Sequence, residues 1–285
     1  MSDRWAEWLR NRRDGGSVEQ RAAALQLLGP VRDQILDSAA VGPGDVLLDV
    51  GCGDGLVGLG ALDRGARVIF SDISAGCLDD CRAIAGDAAE YRLLSATDLG
   101  DVQADVITTR SVLIYVTNKP KAFSEFLRVL RPGGRLSIFE PINRFGLDDR
   151  RATLGFRDLA DVEDLVERVV AEASRAEGRA GGLDAMIDFD ERDLVRFAEE
   201  AGFENIRLTF HAEITNEAKW RSTDWNVFLD SSPNPLAPTF REAMTAALEP
   251  DELARLTAVI RPQVEAGIGT TRLGRAFLAA QRPGD

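Results

Sequence analysis

The chain has 285 residues, 45% of them hydrophobic, enough for one large domain or two small ones with a sizeable core. Its formal net charge of -13 repels phosphate backbones and anionic lipid, which makes nucleic acid a poor first choice of partner despite the cluster Arg10, Arg12 and Arg13. Three cysteines cannot build a disulfide framework, the opening MSDRWAEWLRNRR lacks the apolar stretch of a signal peptide, and no apolar run approaches the roughly 20 residues that span a bilayer, so the expectation is a soluble cytoplasmic protein.

Residues 4 to 39 read as helical, with apolar positions at Trp5, Trp8, Leu9, Leu25, Leu28, Val31, Ile35 and Leu36. Arg13-Asp14-Gly15-Gly16-Ser17 breaks the run, and Ser17 suits the N-cap of the next helix. After the turn Gly42-Pro43-Gly44-Asp45, strand and helix alternate. Strands are expected at 46–50, 67–71, 91–94, 104–109 and 135–140, with helices at 56–64 and 74–86. A further helix, capped by Thr117 or Asn118, places Phe123, Phe126, Leu127 and Leu130 on one face before Arg131-Pro132-Gly133-Gly134 stops it. Residues 146–181 interrupt the pattern with a charged helix lined by Leu159, Val162, Leu165, Val166 and Val169, which Gly178 to Gly182 ends loosely. Asp190 caps a helix that stops at Gly202, 205–214 reads as a sixth strand, 217–267 as a second helical insertion, and 271–281 as a last strand.

Repeated strand–helix units with short connections predict an α/β fold, a doubly wound and mostly parallel seven-stranded sheet. The expected organisation is a single domain: a helical cap (1–40), a core (41–145), an insertion (146–181), more core (182–216), a second insertion or lid (217–267) and a last strand (268–285). In such sheets ligands bind beyond the carboxyl ends of the strands, which gathers Gly51, Asp72, Ala96, Thr97, Arg110 and Asn143 around one crevice.

The stretch Leu47-Leu48-Asp49-Val50-Gly51-Cys52-Gly53-Asp54-Gly55-Leu56-Val57-Gly58 can be read in two ways. From Gly53 it is G-x-G-x-x-G, the sign of a dinucleotide site. From Asp49 it is an acidic residue followed by alternating glycines. A pyrophosphate held at this helix start would face both Asp49 and Asp54, which is electrostatically unfavourable. S-adenosylmethionine carries no phosphate. Its ammonium and sulfonium charges suit an acidic strand end, and glycines let the backbone approach it closely.

Here the sequence resembles the class I S-adenosylmethionine-dependent methyltransferases. Five pieces carry the resemblance in order: Asp49-Val50-Gly51-Cys52-Gly53-Asp54-Gly55; Val68-Ile69-Phe70-Ser71-Asp72-Ile73-Ser74; Ser95-Ala96-Thr97-Asp98-Leu99; Asp105-Val106-Ile107-Thr108-Thr109-Arg110; and Phe126 to Leu136 through Arg131-Pro132-Gly133-Gly134. The likeness covers Val46 to Asn143 well and the later strands more weakly. It implies a Rossmann-like methyltransferase fold and S-adenosylmethionine as cofactor, with S-adenosylhomocysteine as product. It also implies a contact set of Asp49, Gly51, Cys52, Gly53, Asp72, Ile73, Ala96, Thr97, Asp98 and Arg110. In that set Asp72 resembles the acidic residue that holds the ribose hydroxyls. The adenine segment departs from the family's usual Gly-Asp-Ala, since it reads Ser95-Ala96-Thr97-Asp98.

The other candidates concern the methyl acceptor. His211, the single histidine, falls toward the carboxyl end of the sixth strand and could serve as a general base for a hydroxyl, which tilts the reading toward O-methylation over N or C. As an alternative, it is simply a strand residue on the face opposite Phe210. Tyr115, Glu140 and Asn143 border the crevice, and each could orient an acceptor or anchor its loop. Trp220 and Trp225 in the second insertion could line a substrate pocket or dock that insertion. Cys77 and Cys81 share a helix face without the partners a metal site needs, so no metal is expected.

The function expected from the sequence is methyl transfer to a small molecule. Other readings are a NAD-dependent oxidoreductase, a non-catalytic S-adenosylmethionine-binding protein, and an RNA methyltransferase with a basic stripe on an acidic chain. Oligomeric state is not legible.

Overall fold

The computed structural model describes residues 3–147, 154–176, 184–218 and 222–284. Seven strands form one sheet in the order β3-β2-β1-β4-β5-β7-β6. They are β1 (Val46–Val50), β2 (Arg67–Asp72), β3 (Ala89–Leu93), β4 (Ala104–Arg110), β5 (Leu130–Pro141), β6 (Glu204–Glu217) and β7 (Ile268–Gln281). The pairs β1–β2, β1–β4, β2–β3 and β4–β5 are parallel, whereas β5–β7 is antiparallel. This is the mostly parallel doubly wound sheet the alternation predicts. The order reverses at β1, between β2 and β4, which puts the switch point beside the glycine loop.

Every residue of β1 is buried, as expected for a central strand covered on both faces. Helix α3 (Leu56–Asp63) follows it and packs closely because Gly58 has no side chain; a Cβ there would lie 2.2 Å from the Phe70 ring. Phe70 in turn stacks on Tyr91, with centroids 5.7 Å apart. Helix α4 (Ala75–Ala85) starts at Ser74, whose hydroxyl accepts from the Cys77 N–H at 3.0 Å. Asn118 caps α5 (Lys119–Val129) by accepting from the Lys121 N–H at 3.0 Å. Asp190 caps α7 (Glu191–Ala201), and Gly202 ends it in a left-handed conformation.

The boundary between α5 and β5 differs from expectation. The segment Arg131-Pro132-Gly133-Gly134 does not separate helix from strand. It interrupts pairing within β5, where Leu130 already pairs with Ala104 and the ladder resumes from Val106 to Arg135. The turn residues are bulged out, and the strand starts ahead of them.

The chain divides into two compact units. The first holds Leu27–Arg144, Asp184–His211 and Gly274–Asp285, and the second Met1–Gln26, Phe145–Leu183 and Ala212–Leu273, so far as those residues are described. The second unit is mainly helical: α1 (Arg4–Glu7), the start of α2 (Val18–Ser38), α6 (Glu163–Ala176), α8 (Trp225–Asp230), α9 (Phe240–Ala247) and α10 (Pro250–Glu265). Its core gathers Leu165, Val166 and Val169 with Phe228, Met244, Leu256, Ile260 and Val264. The N-terminal cap and the second insertion meet inside this unit, where the Trp8 indole donates to the Ser232 carbonyl at 2.9 Å. Gly178 to Gly182, expected as a loose helix end, lie outside the described residues. Among the described residues no helix is long and apolar enough to cross a membrane.

Candidate functional site

The site is built at the carboxyl ends of β1, β2 and β4, within the sheet unit. Gly51, Gly53 and Gly55 follow β1 with φ of 66°, 53° and 79°, the left-handed region that side chains disfavour. Gly51 is further constrained by space, since a Cβ on it would stand 2.5 Å from Val112 Cγ2. The alternating glycines are thus required by backbone shape and by close approach, and Gly55 hands the chain to α3.

Two carboxylates shape this loop. Asp72, at the end of β2, accepts from the Gly53 N–H at 3.0 Å through Oδ2 and from the Ser74 N–H at 2.9 Å through Oδ1. It fixes the middle of the glycine loop and the start of α4 together. Asp49 is buried in the last turn of β1. It accepts from the Gly58 N–H at 2.9 Å and from the Thr108 hydroxyl at 3.0 Å. The expected partner of a cofactor ammonium is therefore turned inward, where it ties α3 and β4 to β1. Burial pushes its carboxyl up to about 7, against the lowering effect of the Thr108 and Gly58 hydrogen bonds.

Asp54 and Arg110 form an ion pair of 3.2 Å across the loop, with side chains 23% and 17% exposed. The two carboxylates that disfavoured a pyrophosphate thus have different roles: Asp49 is structural, and Asp54 sits beside a guanidinium at the loop's surface. Cys52 is buried between the glycines, with its sulfur 3.8 Å from that of Cys81. The contact with Cys81 and burial push its thiol pKa up, so Cys52 is a neutral packing group. Cys77 and Cys81 are buried on the inner face of α4, in keeping with packing.

Ile73, next to Asp72, is 56% exposed, an apolar side chain presented to solvent at the end of β2. The loop 95–99 follows β3. Ala96 is buried, Thr97 shares a 3.0 Å hydroxyl contact with Ser95, and Asp98 is exposed. A residue that sequence reasoning missed holds this loop. Glu125 of α5 accepts from the Leu99 N–H at 3.0 Å, while Arg128 donates to the Gly100 carbonyl at 2.8 Å. The Arg128 guanidinium holds the Glu125 carboxyl down at about 2. Nothing local in the sequence marks it, because its spacing to Arg128 reads as an ordinary helix-surface ion pair.

Two of the acceptor candidates, Glu140 and His211, are placed differently from the reading that selected them, while Tyr115 and Asn143 follow β4 and β5 as expected. Glu140 is fully buried, and its carboxylate caps a backbone turn instead of facing the crevice. His211 is exposed, part-way along the edge strand β6, with its ring edge-on to Phe277 at 5.9 Å. Tyr115 is half-buried in a short turn after β4, and Asn143 opens a turn after β5. Trp225 belongs to the helical unit, stacked on Phe228 at 5.7 Å in a cluster with Phe156 and Phe240. That is a docking contact of the insertion's own core. Trp220 lies outside the described residues. Among the described residues no group of three His, Cys, Asp or Glu is placed to hold a metal ion.

Comparison with known proteins follows this geometry. A family model described as a methyltransferase domain matches residues 48–138, the stretch from within β1 into β5 that builds the loops above. The chain is 31% identical over 133 residues to a ubiquinone biosynthesis O-methyltransferase of Hahella chejuensis, covering 45% of this chain and 56% of that protein. It is 32% identical over 185 residues to a demethylmenaquinone methyltransferase of Clavibacter sepedonicus, covering 61% of this chain and 72% of the other. The match to the Hahella protein spans little more than half of that relative. Among solved structures, a geranyl diphosphate methyltransferase in complex with S-adenosylmethionine superposes with a TM-score of 0.52 at 17% identity, covering 96% of this chain and 94% of that one, a likeness of fold.

Proposed function

The chain belongs to the S-adenosylmethionine-dependent methyltransferases, and from that premise we propose that it transfers a methyl group to an oxygen of a small-molecule acceptor. The family decides the ambiguous glycine string in favour of the reading that starts at Asp49. The observation that carries the proposal is the clasp of the Asp72 carboxylate on the glycine loop, beside the exposed Ile73. A carboxylate oxygen has two lone pairs, so Asp72 can hold Gly53 and still accept from a ribose hydroxyl. Ile73 offers an apolar surface to a purine ring. The Asp54–Arg110 pair presents both signs of charge, which complements the ammonium and carboxylate of an amino-acid end. The chemistry of these residues supports that cofactor.

The sulfonium supplies an already activated methyl group. The protein's share is to hold donor and acceptor in line and exclude water, and such alignment can supply much of the barrier reduction. The choice of oxygen is supported by the name of the Hahella relative. His211 no longer supports it, since an exposed edge-strand histidine is poorly placed to take a proton at the loop. A cytoplasmic setting suits three free buried cysteines.

The test is a parallel calorimetric titration with S-adenosylmethionine, S-adenosylhomocysteine and NADH, followed by a screen of phenolic, enolic, carboxylic, amine and activated-carbon acceptors, with nucleic acid and protein alongside, for label from methyl-labelled cofactor. Binding of the first two with label on oxygen is expected. Binding of NADH alone overturns the cofactor assignment. Label that enters only nitrogen or carbon acceptors, or only nucleic acid or protein, overturns the acceptor assignment.

A further inference from the structure

Glu140 ends β5 as a fully buried carboxylate with three donors on it. Oε1 accepts from the N–H groups of Val112 and Leu113 at 2.9 Å each, and Oε2 from that of Ile114 at 3.3 Å. The turn it organises is an awkward one. Ser111 enters it with φ of 58° and donates to the Phe139 carbonyl at 2.9 Å. Three consecutive N–H groups then point the same way, and Leu113 and Ile114 are buried, so water cannot satisfy them. A short turn has no backbone acceptors for three parallel donors. One carboxylate does what a helix would otherwise need a full preceding turn to do.

The consequence reaches the cofactor loop through Val112. Its Cγ2 occupies the space where any residue but glycine at position 51 would carry a Cβ, 2.5 Å from that point. Gly51 is the first left-handed residue after β1, and the rest of the loop follows from its direction. The height of Val112 above Gly51 is set by the turn, and the turn is set by Glu140.

We propose that Glu140 is a positioning residue for the cofactor, acting through Val112 on Gly51. The inference rests on the methyltransferase reading above. It replaces direct contact with an acceptor by control of the loop that receives the methionine end. An alanine at 140 leaves the buried N–H groups of Leu113 and Ile114, and the part-buried one of Val112, without an acceptor and lets the turn relax away from the loop. A glutamine keeps an acceptor oxygen for part of the set. An alanine at 112 leaves the turn intact and removes only the group that bears on Gly51.

The experiment measures the dissociation constant for S-adenosylhomocysteine in the wild type, Glu140→Ala, Glu140→Gln, Val112→Ala and the Glu140→Ala/Val112→Ala double variant, each checked for folding by near-ultraviolet circular dichroism. Expected are losses of about tenfold for Glu140→Ala and several-fold for Val112→Ala, near-recovery in Glu140→Gln, and a double variant no weaker than Glu140→Ala, because both act through one contact. A residue that served stability alone would lower the melting temperature and leave the affinity of the folded protein unchanged. Unchanged affinity in Val112→Ala overturns the inference even if Glu140→Ala does not fold, and so does a double variant whose losses multiply. A wild type that fails to bind S-adenosylhomocysteine overturns the methyltransferase reading and this inference with it. A wild type that binds, with all variants equal to it, overturns this inference alone.

Discussion

The sheet unit and the helical unit solve opposite problems. Around the glycine loop, shape is set by backbone: three left-handed glycines, two places where a Cβ has no room, and carboxylates that accept from backbone N–H groups. The helical unit is held by side-chain volume, with Phe156, Phe228, Phe240 and Trp225 packed ring against ring and aliphatic residues of three helices closing around them. A loop that must receive a ligand cannot fill itself with side chains, so its rigidity comes from hydrogen bonds to buried acceptors. The helical unit relies on area removed from water. The two regions should therefore fail in different ways.

The largest effect is expected from Phe228→Ala, which empties the centre of the aromatic cluster. Truncating a buried phenylalanine costs about 3–5 kcal/mol. Denaturant unfolding followed by tryptophan fluorescence should show that loss, while the affinity of the remaining folded protein for S-adenosylhomocysteine stays within twofold. A parallel loss of affinity would mean that side-chain packing in the helical unit also sets the loop. Gly58→Ala tests the other region. Its methyl would meet the Phe70 ring, and overpacking of this kind costs about 1–3 kcal/mol. Because α3 starts the loop's far side, affinity should fall together with stability.

Asp72→Ala sharpens the comparison further, since what it removes is chiefly the hydrogen bonds to Gly53 and Ser74 and no apolar side chain. We expect cofactor binding to weaken by about 1–3 kcal/mol, the range for charge-assisted hydrogen bonds. Calorimetry on the folded variant checks it, and an unchanged dissociation constant rules out a ribose contact at this position.

The same contrast explains what the sequence made legible. The β1 strand, the capping residues Asn118 and Asp190, and the stop at Gly202 depend on neighbours within a few residues, and they stand where local chemistry predicts. The one-sided apolar faces of 119–129 and 163–176 were equally readable. Long-range polar contacts were not. That Asp49 reaches Thr108, that Glu125 holds Leu99 and that Glu140 gathers 112–114 depend on which strands become neighbours, and no spacing along the chain encodes it. An acidic residue at a strand end looks the same in sequence whether it faces a ligand or the protein interior. For the same reason His211 and Trp225 were readable as site residues. His211 stands part-way along the edge strand β6, and Trp225 packs its ring on Phe228 within the helical unit.

The smallest effect separates the two buried carboxylates by pH. Burial raises Asp49 to about 7 from an ordinary value near 4, and it raises Glu140 to about 7 as well. In each case the folded state keeps a proton that the unfolded chain has already lost. The resulting contribution to stability is complete below the ordinary carboxylate range and fades as pH rises through about 7. Glu125, held down at about 2, behaves in the opposite sense: its contribution is complete above the ordinary range and is lost only as pH falls toward 2. Between pH 5 and 8 the wild type should therefore lose stability on the alkaline side through Asp49 and Glu140 together. Asp49→Asn keeps an oxygen for the Gly58 N–H, and its amide can donate to the Thr108 hydroxyl, so the fold should be retained. It has no proton to lose in this range. Urea titrations at pH 5, 6, 7 and 8 should show a shallower fall for Asp49→Asn than for the wild type, with the remaining slope belonging to Glu140. An unchanged slope would mean that Asp49 stays ionised in the folded protein, its two donors outweighing burial.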